Sequence, residues 1–100
     1  MVIIIGAKDK KMLEFSDNYI EDVLIIDNVC SIKSIKGRVK IIVPFAELQD
    51  NGVFSGTSIW LDELLMTLNV EELIINKKTN ENLLDEICLS YQVPYRFFNF

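Results

Sequence analysis

Short apolar runs alternate along this chain with segments whose apolar residues recur every three or four positions. A short apolar run that ends at turn residues is typical of a strand buried in a parallel sheet. Apolar residues at helical spacing are typical of an amphipathic helix. The sequence predicts strands at Val2–Ile5, Val23–Ile26, 39–43, 72–75 and Tyr95–Phe98. It predicts helices at residues 9–18 and 58–68, and a third that Thr79 or Asn80 caps and that runs to Tyr91.

The alternation of strands and helices predicts one α/β domain over residues 1–100. Strands that are joined through helices lie parallel, and the helices cover the faces of the sheet. We therefore expect a three-layer fold with a mostly parallel sheet of about five strands and flanking helices. The β-branched run Val2–Ile5, which ends at Gly6, is predicted to be the central strand.

Two stretches have a weaker pattern. Residues 29–37 contain Ile32 and Ile35 with serine and lysine around them, which predicts a loop or at most one helical turn. Residues 45–54 are irregular, with one helical turn expected at 46–48 and turn-forming residues at 50–52. Long loops in compact domains tend to be functional or mobile. Residues 45–54 are therefore a candidate ligand-contacting or lid-like loop.

Composition narrows the classes of function. The net charge of −5 argues against a nucleic-acid partner, because such binding depends on cations that neutralise phosphates. The chain has no histidine, the commonest general base and metal ligand. Cys30 and Cys88 lack the C-x-x-C spacing of zinc and dithiol sites, and Cys88 is expected in a helix core. Without a signal peptide or membrane span, we expect a cytosolic protein with reduced thiols and no membrane partner.

A ligand site is predicted at one edge of the sheet. In open parallel sheets, ligands bind beyond the carboxyl ends of the strands. The Ser-Gly-Thr-Ser segment before the predicted helix 58–68 adds N–H groups and hydroxyls of the kind that bind phosphate or carboxylate. The candidate ligand-binding residues are Gly6, Ala7, Lys8, Asp27, Asn28, Gly56, Thr57, Ser58, Asn76 and Lys77. Each also has a simpler interpretation as a strand end, a solvated turn or a helix start, and no catalytic residue, metal ligand or cofactor is identified.

Parts of the chain resemble Rossmann-type nucleotide-binding domains. Val2–Ile5 with Gly6 and Ala7 resembles their first strand and turn, and Asp27 resembles the acidic residue that holds a ribose hydroxyl. Residues 53–98 are similar to the N-terminal Rossmann-like domains of polysaccharide-biosynthesis and nucleotide-sugar-modifying proteins. The resemblance implies a Rossmann-like fold and a bound nucleotide. The turn directly after Gly6 contains no second or third glycine, so a dinucleotide pyrophosphate could not approach the backbone as in G-x-G-x-x-G proteins.

Two other architectures share the same alternation of elements. The phospho-receiver and flavodoxin-like architecture requires an acidic pair after its first strand to hold a metal. A topoisomerase-primase-like nuclease requires a glutamate at that strand's end. Gly6 and Ala7 stand at these positions, which disfavours both mechanisms.

Two functions from different classes remain. The first is a non-catalytic module that binds a nucleotide or similar small anion at the edge formed by Gly6, Asp27 and Thr57. The second is an accessory or inhibitory protein that forms a homo-oligomer or binds a protein partner, because its apolar surplus exceeds what one small core can bury. That surplus comprises the helix around Trp60 and Met66 and the aromatic terminus Tyr95, Phe97, Phe98 and Phe100. An enzyme is the least favoured class, since no nucleophile is spaced to pair with a base.

Overall fold

The computed structural model describes residues 1–19 and 21–99, in which five strands, three α-helices and one 3-10 helix occur. In chain order they are β1 (Val2–Ile5), α1 (Lys10–Ser16), β2 (Val23–Ile26), the 3-10 helix (Val29–Ser34), β3 (Arg38–Val43), α2 (Leu61–Thr67), β4 (Asn69–Asn76), α3 (Glu81–Tyr91) and β5 (Tyr95–Phe98). The predicted Rossmann-like three-layer α/β fold with a parallel sheet is confirmed. Phe100, part of the predicted aromatic terminus, lies outside the described residues.

The strands lie in the order β2-β1-β3-β4-β5, and each neighbouring pair is parallel. β3 is in the middle of the sheet, so the prediction that the first strand would be central is wrong. The chain first passes from β1 outward to β2, then crosses back past β1 to β3, and continues in that direction to β4 and β5. The order of a doubly wound sheet therefore reverses between β1 and β3.

The helices cover the two faces of the sheet unequally. Because strand-crossover-strand connections are right-handed, the single connection that runs toward β2 places its helix on the opposite face from the others. Within the described residues, α1 is the helix of that face, and its Met12 is buried against the smaller core. The 3-10 helix, α2 and α3 cover the other face and contribute Ile32, Leu64 and Leu84 to a larger core.

Helix α2 begins at Leu61, three residues after the predicted start at Ser58. The Thr57 hydroxyl donates to the Phe54 carbonyl oxygen at 3.0 Å and accepts from the Ile59 N–H at 3.1 Å. Side-chain bonds of this kind compete with helix formation and hold the backbone in a turn. The predicted helix N-terminus at residues 56–58 is therefore wrong.

Strand β4 is longer than predicted, whereas α3 is as predicted. β4 begins at Asn69 rather than at residue 72. Asn69 pairs with Arg38 of β3, so backbone pairing holds a part of the strand that has polar, exposed side chains. Asn80 caps α3, and its side chain accepts the N–H groups of Asn82 and Leu83.

The two weakly patterned stretches form packed connections. Residues 29–34 make a 3-10 helix, longer than the single turn expected, because Ile32 is buried beneath it. Residues 46–48 are not helical, since Leu48 forms an isolated antiparallel bridge with Phe54. The Phe54 side chain is fully buried and anchors the end of the loop over residues 45–54 in the larger core.

Candidate functional site

A cavity opens at the carboxyl ends of β1 and β3, where the strand order reverses. The connection after β1 leaves toward β2 and the connection after β3 leaves toward β4, so the two loops diverge and leave a crevice. The cavity measures about 290 Å³, near the lower end of the ~300–1,000 Å³ typical of ligand pockets. We call it the glycine cavity, and it is lined by Gly6, Ala7, Asp9, Lys11, Met12, Phe45, Ala46, Ser55 and Gly56.

Gly6 allows α1 to pack close to the end of β1. Its φ is +149°, a backbone conformation that side chains disfavour, and a Cβ there would lie 2.5 Å from Cε of Met12. The Gly6 N–H donates to the Ile26 carbonyl oxygen at 3.0 Å, which continues the pairing between β1 and β2. The absence of a side chain at residue 6 therefore leaves room for Met12 beside the end of β1.

Asp9 occupies the N-terminus of α1. Its Oδ1 accepts the Met12 N–H at 2.9 Å, and its own N–H donates to the Ala7 carbonyl oxygen at 2.9 Å. A carboxylate at this position satisfies a helix N–H group that has no partner within the helix and complements the helix dipole. The loop after β1 therefore presents a negative group to the glycine cavity.

A second cavity of about 200 Å³ lies beside the first, at the carboxyl ends of β3, β4 and β5. We call it the lysine cavity, and it is lined by Lys11, Pro44, Phe45, Asn76, Lys77, Lys78, Phe98 and Asn99. Lys11 and Phe45 line both cavities, and the Lys11 Nζ lies 4.1 Å from the centre of the Phe45 ring. This cation–π contact favours a lysine position between the two cavities.

Asn76 joins the end of β4 to the loop that follows β3. Its Nδ2 donates to the Ala46 carbonyl oxygen at 2.6 Å and to the Val43 carbonyl oxygen at 3.4 Å. Its Oδ1 accepts the Lys78 N–H at 3.1 Å, and its side chain is buried. Asn76 therefore fixes the walls of the lysine cavity from inside the protein.

The structure divides the predicted ligand residues into two groups. Gly6, Ala7 and Gly56 line the glycine cavity, and Asn76 and Lys77 line the lysine cavity. The remaining predicted residues line neither of these two cavities, namely Lys8, Asp27, Asn28, Thr57 and Ser58.

Asp27 and Asn28 make contacts that end β2 and begin the 3-10 helix. The Asn28 Oδ1 accepts the Ser31 N–H at 3.3 Å, and its Nδ2 donates to Oδ1 of Asp27 at 3.1 Å. The Asp27 carbonyl oxygen accepts the Ser58 N–H at 3.3 Å, which ties β2 to the segment before α2. A role of Asp27 with a ribose hydroxyl stays a prediction.

Sequence reasoning did not select Asp9 and Lys11, although both line the glycine cavity. A signal was available, because the first turn of the helix that follows β1 lies at the same edge as the strand ends. Phe98 and Asn99 line the lysine cavity for a similar reason, since Phe98 is the last residue of β5 and Asn99 follows it.

The clearest pKa shifts fall on groups outside both cavities. Burial in the larger core, with a contribution from nearby Asp85, raises the pKa of Cys88 to about 11. A hydrogen bond to the Asp85 carboxylate is the main reason that the pKa of Tyr95 rises to about 12. Burial is also the main cause that raises the pKa of Tyr19. Within residues 1–19 and 21–99, no three Cys, Asp or Glu residues are grouped so that they could hold a metal ion.

In comparisons with known proteins, no family model, no curated protein and no solved structure matches this chain. The resemblance to nucleotide-sugar-modifying and polysaccharide-biosynthesis proteins therefore stays a prediction. In the described part of the chain, none of the helices has the length and apolar character needed to cross a membrane.

Proposed function

We propose that this domain binds a small anion, such as a nucleotide, in the crevice formed by the glycine and lysine cavities, without a reaction of its own. The proposal rests on one combination: the position of the crevice in the sheet and the positive charge of the residues that line it. The crevice lies where the strand order reverses, which is the usual ligand position in doubly wound sheets. Three lysines, Lys11, Lys77 and Lys78, line it in a chain whose net charge is −5.

The dimensions of the crevice support a small ligand rather than a dinucleotide. The glycine cavity of about 290 Å³ and the lysine cavity of about 200 Å³ meet at Lys11 and Phe45. The loop after Gly6 also carries the Asp9 carboxylate close to the place where a pyrophosphate would need backbone N–H groups. These features favour a ligand with one anionic group.

The chemistry of the lining residues supports binding rather than catalysis. The sequence contains no histidine, and the cysteines lie elsewhere, since Cys88 is buried in the larger core and Cys30 is an exposed residue of the 3-10 helix. Ser55 lines the glycine cavity, and its Oγ accepts the Glu47 N–H at 2.9 Å. A serine nucleophile would need a general base to take its proton, and the available contact is a backbone donor.

Thermal-shift measurements with nucleotides test the proposal. A ligand present at about ten times its Kd stabilises the native state by ~1.4 kcal/mol. For a domain of this size that corresponds to a rise in Tm of roughly 6 °C or more. Ala7→Phe places a ring at the mouth of the glycine cavity and should abolish the shift, whereas Ser58→Phe, at an exposed residue outside both cavities, should retain it. The absence of a shift with every nucleotide at millimolar concentration would contradict the proposal.

A second candidate function is association through exposed apolar side chains. Trp60, the residue before α2, is 47% exposed and Met66 within α2 is 69% exposed, whereas the apolar residues Leu61, Leu64 and Leu65 of the same helix are buried. Large exposed apolar side chains are favoured anchors in interfaces. Because Trp60 is the single tryptophan, a concentration-dependent blue shift of its fluorescence would support self-association. A monomeric mass in light scattering at high protein concentration, with no such shift, would exclude homo-oligomers.

A further inference from the structure

The two cavities of the proposed binding crevice differ in charge. The glycine cavity combines the Asp9 carboxylate with the Lys11 ammonium group. The residues that line the lysine cavity include Lys11, Lys77 and Lys78, and none of these lining residues is an aspartate or a glutamate. Within the described residues, Glu47 forms an ion pair with one of these lysines: its Oε1 lies 3.9 Å from Nζ of Lys78, and both side chains are largely exposed. Water and salt screen an exposed pair of this kind, so it offsets little of the positive charge.

The loop after β1, where Lys8 lies, is unfavourable for an anion. Phosphate commonly binds to the free N–H groups at a helix N-terminus. Here the Asp9 Oδ1 already accepts the Met12 N–H at 2.9 Å, and its negative charge repels a second anion. An anionic group is therefore directed away from the start of α1 and toward the β4 end of the crevice.

The walls of the lysine cavity are held in place by contacts within the protein. Asn76 ties the turn at Lys78 to the loop at Ala46 through two of its hydrogen bonds. Lys11 is held over the Phe45 ring at 4.1 Å. Binding to preformed walls loses less conformational entropy than binding to loops that must be ordered.

The glycine cavity is suited to a neutral, hydroxyl-bearing group. The Ser55 Oγ accepts the Glu47 N–H at 2.9 Å, and its hydroxyl hydrogen can be donated to a ligand oxygen. The Asp9 carboxylate has a second oxygen that can accept from a ligand hydroxyl. The apolar Met12 and the Phe45 ring provide contact area for the rest of such a group.

We propose that the ligand is a phosphate monoester of a sugar or nucleoside, with its phosphate in the lysine cavity and its hydroxyl-bearing body in the glycine cavity. This inference rests on the function proposed above and goes beyond it, since it assigns a ligand class and an orientation. It predicts that Lys77, and not Lys8, recognises the charge of the ligand.

Isothermal titration at low salt tests the assignment with AMP, adenosine, ribose 5-phosphate, ribose and inorganic phosphate. We expect AMP to bind at least tenfold more tightly than adenosine, since a hydrogen bond to a charged group is worth about that factor or more. Lys77→Gln should weaken AMP binding about tenfold. Lys8→Gln removes the same charge from an exposed residue outside both cavities and should weaken it less than about twofold.

Two further measurements complete the test. Amide shifts in 15N-labelled protein should change at Lys77 and Lys78 on addition of inorganic phosphate, and remain unchanged at Lys8. Ribose 5-phosphate that binds as tightly as AMP would identify a sugar phosphate, and tighter binding of AMP would identify a nucleoside phosphate. Circular dichroism melts of both variants check that each remains folded.

The outcomes separate this inference from the function on which it rests. If AMP binds but Lys8→Gln weakens it as much as Lys77→Gln does, the orientation is overturned and the binding function stands. If adenosine binds as tightly as AMP, the phosphate assignment is overturned. If none of the probes binds the wild-type protein, the inference fails together with the proposed binding of nucleotides.

Discussion

Asn76 is predicted to contribute more to stability than any exposed polar residue, although the sequence marked it as a ligand residue. The substitution Asn76→Ala removes the 2.6 Å bond to the Ala46 carbonyl oxygen and the 3.1 Å bond from the Lys78 N–H. The 3.4 Å contact with the Val43 carbonyl oxygen is long and adds little. Each well-formed hydrogen bond is worth about 1 kcal/mol, and a buried group left without a partner costs further. We expect a loss of about 2–3 kcal/mol.

Urea unfolding followed by circular dichroism measures this loss. In thermal unfolding, the same loss should lower the Tm by roughly 10–20 °C, at about 4–8 °C per kcal/mol for a domain of this size. Asn69→Ala is the matched control, because Asn69 is exposed at the other end of the same strand, and it should change stability by no more than about 0.5 kcal/mol. Asn76→Asp tests the direction of the bonds, since a carboxylate would face the Ala46 carbonyl oxygen without a hydrogen to donate.

Asn76→Asp should be at least as damaging as Asn76→Ala at neutral pH and should recover in part in acid, where the carboxyl group is protonated and can donate. A loss of less than about 0.5 kcal/mol for Asn76→Ala would refute the reasoning. It would mean that water replaces the side chain at no cost and that the wall of the lysine cavity does not depend on it.

Three further predictions concern other parts of the fold. Gly6→Ala should destabilise the protein by about 1–3 kcal/mol from backbone strain and contact with Met12, and more than Gly37→Ala, which is also strained at its φ of +87° but whose added Cβ would meet nothing within 4 Å. Ellman's reagent at pH 8 should titrate Cys30 in the native protein and Cys88 only after denaturation, because burial raises the Cys88 pKa from 9.0 to about 11; rapid reaction of both thiols would contradict this. The Tyr95 pKa is raised from 10.0 to about 12, so the stability from its bond to a carboxylate on α3 is complete below pH 10 and is lost toward pH 12. Denaturation of the wild-type protein and of Tyr95→Phe should show that the difference in stability between the two shrinks from pH 10 to pH 12. A constant difference would argue against this role of the hydrogen bond.

The sequence predicted the positions of the strands well, because short apolar runs bounded by turn residues are typical of strands in a parallel sheet. Val2–Ile5, Val23–Ile26 and Tyr95–Phe98 have the predicted bounds. β4 was predicted too short, because its exposed start at Asn69 is stabilised by pairing with β3 rather than by burial. Backbone pairing of this kind leaves no periodic signal in the side chains.

The start of α2 and the candidate site were harder to predict, for a common reason. Thr57 has the character of a helix cap, but its hydroxyl bonds within a turn before the helix. Asn76 has the character of a ligand residue, but its amide bonds to the loop after β3. Both outcomes depend on which backbone groups lie near these side chains in the folded protein, and the strand order determines those neighbours. Lys11 belongs to the crevice because β3 lies beside β1, which the sequence did not predict.

The two faces of the sheet are covered unequally, and this affects where the protein unfolds locally. The larger core is closed by three helical elements, whereas α1 holds the other face with seven residues, of which Met12 is the buried one. Local unfolding takes place where few apolar groups are buried, so amide hydrogens of α1 should exchange faster than those of α3. Asp9 and Lys11 flank that helix start, so one wall of the crevice lies on this short helix and the other, at Asn76, on strand β4. A ligand that bridges the two walls would therefore slow exchange chiefly in α1.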